Sequence, residues 1–141
     1  WERNLFYQTP GIRGFFYKEN EILIKELDRA KTALDVGCGL GTHLMLLSKY
    51  CREAWGIDHS DIVLKHCIKE VAKYENIKTF KMDAKKLEFQ DKYFDQTSCM
   101  FNTLGNMKDP LPVLKEMKRV TKVGGRIVFS LYNLDSIPER L

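Results

Sequence analysis

Nowhere in this 141-residue sequence does an apolar run approach the roughly 18–20 residues that a bilayer-spanning helix requires. No Cys-x-x-C pair occurs either. Cys38, Cys51, Cys67 and Cys99 stand singly, which argues against a zinc ribbon or a redox dithiol. Isolated cysteines in apolar surroundings serve as small core residues, and free thiols suit a reducing compartment. Histidine is scarce, and the one neighbouring pair, His66 and Cys67, makes no metal site. Low-complexity tracts, internal repeats and domain linkers are missing, as is a basic-then-apolar secretory leader. The expectation is one soluble domain over residues 1–141, cytoplasmic, without membrane association or metal.

The remaining composition is ordinary for a globular chain, at 44% hydrophobic and 30% charged. The net charge of +4 is modest. Lys65, Lys69, Lys73, Lys115 and Lys118 spread over helix faces instead of forming one stripe, so charge alone does not establish a nucleic-acid partner.

The opening segment, Trp1 to Tyr17, is aromatic and turn-rich, with Pro10, Gly11 and Gly14, and reads as an N-terminal arm or a lid. Ile22, Leu23, Ile24 and Leu27 among charges predict an amphipathic helix from Lys18 to Arg29. Thr32 to Val36 is too short for a helix and predicts a buried strand. Leu44 to Leu47 begin a second helix running to about Cys51. Glu53 to Asp58 predicts a second strand, and Ser60 with Asp61 opens a helix as N-cap and first-turn acid. Asn76 to Met82 and Asp95 to Phe101 predict the third and fourth strands. Pro112 starts a helix whose face is Val113, Leu114, Met117 and Val120, stopped by Gly124 and Gly125. Arg126 to Tyr132 is the fifth strand. Alternating strands and helices imply βαβ units: an α/β, doubly wound, Rossmann-like, mostly parallel sheet flanked by helices.

The informative stretch is Asp35-Val36-Gly37-Cys38-Gly39-Leu40-Gly41-Thr42-His43. Glycines between a strand and a helix tolerate positive φ and allow close backbone approach to a ligand. The helix start offers N–H groups to a pyrophosphate or a carboxylate. A dinucleotide fingerprint wants G-x-G-x-x-G, yet Thr42 stands where its third glycine belongs. The spacing G-x-G-x-G, with Asp35 before it, suits a ligand with an amino end better than an anionic pyrophosphate. About twenty residues past the first glycine, Asp58 closes the second strand, where a carboxylate accepts ribose hydroxyls. Asp83 follows the third strand. Three acids thus fall at carboxyl ends of neighbouring strands, where open α/β sheets form their ligand crevice.

On these residues the chain resembles the class I S-adenosylmethionine-dependent methyltransferases, and is especially similar to the UbiE-like and small-molecule group, from about Lys31 to Tyr132. Asp35, Gly37, Cys38, Gly39 and Gly41 match the first motif of that family, which surrounds the methionine part of the cofactor. The resemblance places Asp58, with His59 beside it, at the ribose and adenine border, and Asp83 with Ala84 at the adenine amino group. Phe101 and Asn102 match the segment flanking the cofactor and facing the substrate. The run from Leu114 to Val128 resembles the helix, glycine turn and fifth strand of the family, with Val123 where many relatives carry proline. The family sheet has seven strands, the last two antiparallel. A chain stopping at Leu141 is expected to lack them and to be C-terminally incomplete.

What the resemblance implies is methyl transfer from S-adenosylmethionine, with S-adenosylhomocysteine as product, to an unidentified small-molecule acceptor. RNA or protein acceptors stay open. So does a non-catalytic cofactor-binding subunit that needs a partner. A nicotinamide oxidoreductase is disfavoured by the glycine spacing, and exocyclic-amine DNA methylation by Asn102-Thr103-Leu104-Gly105 after the fourth strand. The sequence names no general base. His43 is open to contact with ligand or substrate, His59 to packing beside adenine, and His66 reads as helix surface. Phe6, Tyr7, Phe15, Phe16 and Tyr17 are open to a lid or a packed arm, and Arg13 to an anionic group.

Overall fold

A computed structural model describes residues 10–27 and 30–132. Its elements follow one another as α1 (Pro10–Lys25), β1 (Thr32–Val36), α2 (Thr42–Leu47), β2 (Glu53–Asp58), α3 (Asp61–Val71), β3 (Ile77–Lys81), β4 (Phe94–Cys99), α4 (Leu111–Val120) and β5 (Thr121–Phe129). The strands form one sheet in the order β3-β2-β1-β4-β5, and every pairing is parallel. The chain therefore winds outward from β1 to β3 and then crosses back to β4. Between β1 and β4 the order reverses, and a crevice opens at such a point.

Both sheet faces are covered, which is why β1 reads as an unbroken buried run. One core joins Leu23 of α1, Leu27 in the turn after it, Leu44 and Leu47 of α2, and Leu64, Cys67 and Val71 of α3 to Ala33 and Ala54 of the sheet. The other packs Val113, Met117 and Val120 of α4 on Leu34, Val36, Ile57 and Phe94. Trp55 lies within 5.6 Å of Phe80, Phe89, Tyr93 and Phe94, ring centre to ring centre, so this second core is strongly aromatic. Full burial of each such side chain is worth about 1.5–3 kcal/mol.

The expected Rossmann-like sheet is present, and several element boundaries differ from expectation. The first helix starts at Pro10 instead of Lys18 and absorbs Gly11 and Gly14. Proline is pre-organised for a first helical position. Nothing lies within 4 Å of where a Cβ of either glycine would project, so they cost only their backbone entropy, about 1 kcal/mol each. Phe6 and Tyr7 lie outside the described residues. The second helix ends at Leu47, and turns carry the chain on to Cys51.

The fifth strand starts directly after α4 at Thr121, with Gly124 and Gly125 inside it. Phe94 pairs with Thr121 while Gln96 pairs with Arg126, so the glycines form a bulge instead of a helix stop. Gly124 has φ 78°, and a Cβ on Gly125 would sit 2.7 Å from the Asp95 carbonyl oxygen. Only glycine fits both positions. The strand ends at Phe129, short of Tyr132.

Candidate functional site

Register sets the floor of the site. Asp35 of β1 pairs with Gly56 of β2 and Ser98 of β4. The chain then turns through Gly37, Gly39 and Gly41, all with positive φ between 54° and 84°. A cavity of about 550 Å³ opens beside this turn at the carboxyl ends of the strands. Gly37 and Gly39 line one side, and Ile57, Asp58, His59 and Ser60 the next. Met82, Asp83, Ala84 and Lys85 follow β3, while Thr103, Asn106 and Met107 come from the loop after β4. Of the acids read from the sequence, Asp58 and Asp83 thus face one space together with two of the glycines.

Asp58 braces the turn as well as lining the cavity. Its Oδ2 accepts from the Gly39 amide at 3.1 Å and its Oδ1 from the Ser60 amide at 2.9 Å. Ser60 caps α3 as expected, accepting from the Val63 amide. His59 is exposed, its Nδ1 3.7 Å from Asp58, and His66 lies on the α3 surface. Asp83 is exposed and accepts from the Lys85 amide. The loop carrying it is tied down by Arg119 of α4, which donates to the Leu87 and Phe89 carbonyls and to Glu116 and Asp91.

Other predicted residues sit elsewhere or act differently. Cys38 lies in the core, its thiol hydrogen-bonded to Cys67; that bond, and then burial, push it well above the ordinary thiol range. Gly41 is the residue before α2, where a Cβ would meet Val71 and Cys67 at 2.8 and 2.9 Å. It lets α3 pack on the turn. Phe101 and Asn102 have φ 55° and 57° and are not among the cavity-lining residues. Asn102 accepts from the Tyr132 amide, and Phe101 packs edge-on against Phe15, Phe16 and Tyr132. Phe15 and Phe16 are therefore packed helix residues, whereas Tyr17 and Arg13 are exposed.

Within the turn itself the amides are used: Gly37 and Cys38 both donate to the Ile57 carbonyl, Gly39 to Asp58 and Gly41 to the Cys38 carbonyl. A turn this tight must satisfy its own amides once it is packed on β2. The cavity is therefore bounded here by glycine α-carbons.

Asp35 lies on the α1 side of the sheet, 1% exposed. Ser98 Oγ donates to its Oδ1 at 3.0 Å, while its Oδ2 has no partner. Burial pushes the carboxyl up to about 7, opposed by Ser98 and reinforced by the charges of Glu19 and Asp58. His43, 8% exposed, stacks on Phe16 with ring centres 5.2 Å apart, and burial lowers its pKa to about 4. Glu19 of α1 went unread in the sequence. Only its place in the apolar spacing Phe16, Glu19, Leu23, Leu27 marks it out.

Residues 34–129 match the family described as Methyltransferase domain. A demethylmenaquinone methyltransferase of Staphylococcus aureus is 42% identical over 99 residues, 68% of this chain and 41% of that protein. The chain thus spans less than half the length of the curated relatives it matches. The PH0226 protein of Pyrococcus horikoshii OT3 superposes with a TM-score of 0.80 at 25% identity, over 96% of this chain and 61% of its own. A SAM dependent methyltransferase of Aquifex aeolicus gives 0.64 at 30% identity, over 73% and 58%. With the parallel sheet, the glycine turn and the family match in agreement, the chain belongs to the class I S-adenosylmethionine-dependent methyltransferases.

Proposed function

We propose that the protein carrying this chain transfers a methyl group from S-adenosylmethionine to a small-molecule acceptor. One observation carries the reading: Gly37, Gly39, Asp58 and Asp83 meet around a single cavity of about 550 Å³ at the strand ends. The residues fit the cofactor that the family uses. A Cβ on Gly37 would lie 2.6 Å from Cγ2 of Thr103, which lines the cavity with it, and Asp35 Oδ2 is buried without a partner. Asp58 would accept the ribose hydroxyls, Asp83 with Ala84 would border adenine, and Asp35 would face the amino-acid end. When bound, S-adenosylmethionine supplies an electrophilic methyl carbon on a sulfonium. The chain's own part is to hold an acceptor in line with it and exclude water. The curated relatives named demethylmenaquinone methyltransferase favour a small molecule over a nucleic acid or a protein as acceptor. Four free, buried cysteines support a reducing, cytoplasmic setting.

Titration calorimetry with S-adenosylhomocysteine and with NAD tests the reading. S-adenosylhomocysteine is expected to bind and NAD not; NAD binding alone would reverse it. Asp58→Ala should weaken S-adenosylhomocysteine by about 1–3 kcal/mol, the value of a charged hydrogen-bond pair.

A further inference from the structure

Five buried side-chain atoms among the described residues lack a hydrogen-bond partner: Glu19 Oε2, Asn20 Oδ1, Asp35 Oδ2, His43 Nε2 and Gln96 Oε1. Two belong to α1, and Asp35 and His43 flank the glycine turn whose Gly37 and Gly39 line the cavity, themselves lying outside that lining. Glu19 is 3% exposed. Its Oε1 is used fully, accepting from the Phe101 amide at 2.8 Å and from the Ser130 hydroxyl. Its Oε2 is turned instead toward His43 Nε2, 3.8 Å away, too far for a hydrogen bond. No lysine or arginine pairs with Glu19 or Asp35 among the described residues. Carboxylates buried in this way are strongly disfavoured until a cation or a set of donors reaches them.

We infer that Glu19, with Asp35 and His43, forms the subsite for the ammonium group at the amino-acid end of the methyl donor, which makes α1 part of the cofactor site. An ammonium brings three donors and no acceptor. It answers two carboxylate oxygens and a neutral imidazole nitrogen, none of which has another partner. A carboxylate in the same place would be repelled. Glu19 also links this subsite to the far loop, since its other oxygen holds the Phe101 amide after β4. The inference rests on the cofactor reading above.

The test compares two ligands by calorimetry: S-adenosylhomocysteine, and 5′-methylthioadenosine, which keeps the adenosine and the sulfur but lacks the amino-acid end. Glu19→Gln keeps a carbonyl oxygen for Phe101 and Ser130 and removes the charge. It is expected to weaken S-adenosylhomocysteine by about tenfold or more, as a lost charge-assisted hydrogen bond does, and to leave methylthioadenosine unchanged. Ser130→Ala removes one anchor and keeps the charge, and should preserve the unaltered protein's preference between the two ligands. Equal weakening of both ligands by Glu19→Gln would reduce Glu19 to a packing role and overturn the inference, as would no change in either. If the unaltered protein binds both ligands equally tightly, the ammonium subsite fails while the cofactor reading stands. If it binds neither, the cofactor reading itself has failed.

Discussion

The two faces of the sheet are built on opposite principles. Under α4, Trp55, Phe80, Phe89, Tyr93 and Phe94 interlock with one another, most pairs edge to face, and pack with apolar helix residues. No partnerless buried side-chain atom falls in that core among the described residues. Under α1, Gln96 of β4 and Asp35 of β1 share a face with Glu19 and His43, and all four carry unmet polar atoms. A protein selected for stability alone would not leave four such groups in one place. The contrast gathers the unmet polar groups under α1, while the cavity itself takes Ile57 and Val113 from the α4 side.

That division can be broken or sharpened by substitution. Phe94, fully buried in the aromatic core, should show the largest effect. Phe94→Ala is expected to cost about 3–5 kcal/mol in denaturant unfolding, and a loss under 1 kcal/mol would mean the aromatic face is not the structural one. Arg119→Ala, which frees the loop after β3 from α4, should cost roughly 1–3 kcal/mol. It should also open residues 84–93 to limited proteolysis, and an unchanged cleavage pattern would refute that tie.

Next comes pH. Asp35 holds its proton up to about 7 when folded, against an ordinary carboxyl value near 4. Between those values the folded state binds more protons than the unfolded state, so this group's contribution to stability falls as pH rises from about 4 to 7. His43, lowered to about 4, contributes the opposite slope over about pH 4 to 6.5. Asp35→Asn removes the first and keeps the second, so its stability relative to the unaltered protein should rise with pH across this range. Parallel pH profiles for the two proteins would refute the raised carboxyl. The smallest effect is expected at Gln96→Leu, where an unmet amide oxygen is exchanged for methyl groups. Stability should change by less than about 1 kcal/mol, and a loss comparable to that of Phe94→Ala would erase the contrast between the faces.

Much of this was legible in the sequence because it depends on local pattern. The short apolar run from Thr32 to Val36, ended by glycine, is a parallel strand, and Ser60 caps the helix it is expected to cap. Asp58 and Asp83 came to one cavity because strand ends in a parallel sheet lie side by side. What escaped depends on contacts across the fold. Gly124 and Gly125 look like a helix stop until β4 is beside them and Asp95 fills the space where a side chain would project. Pro10 to Tyr17 looks like an arm because two glycines weigh against a helix, and only packing of Phe15 and Phe16 on Phe101 shows what their neighbours are for. Glu19 looks like one more solvated charge, and Thr103, Asn106 and Met107 carry no motif at all. Nor does the sequence show that Ile57 and Asp58 accept from the amides of Gly37, Cys38 and Gly39.

The bare α-carbon of Gly37 rests against the methyl group of Thr103, so the strand-end loops on either side of the crevice abut without any side chain in between. Any side chain at position 37 would have to displace Thr103, and with it the loop after β4, so the spacing of the two loops is set by the absence of one carbon atom.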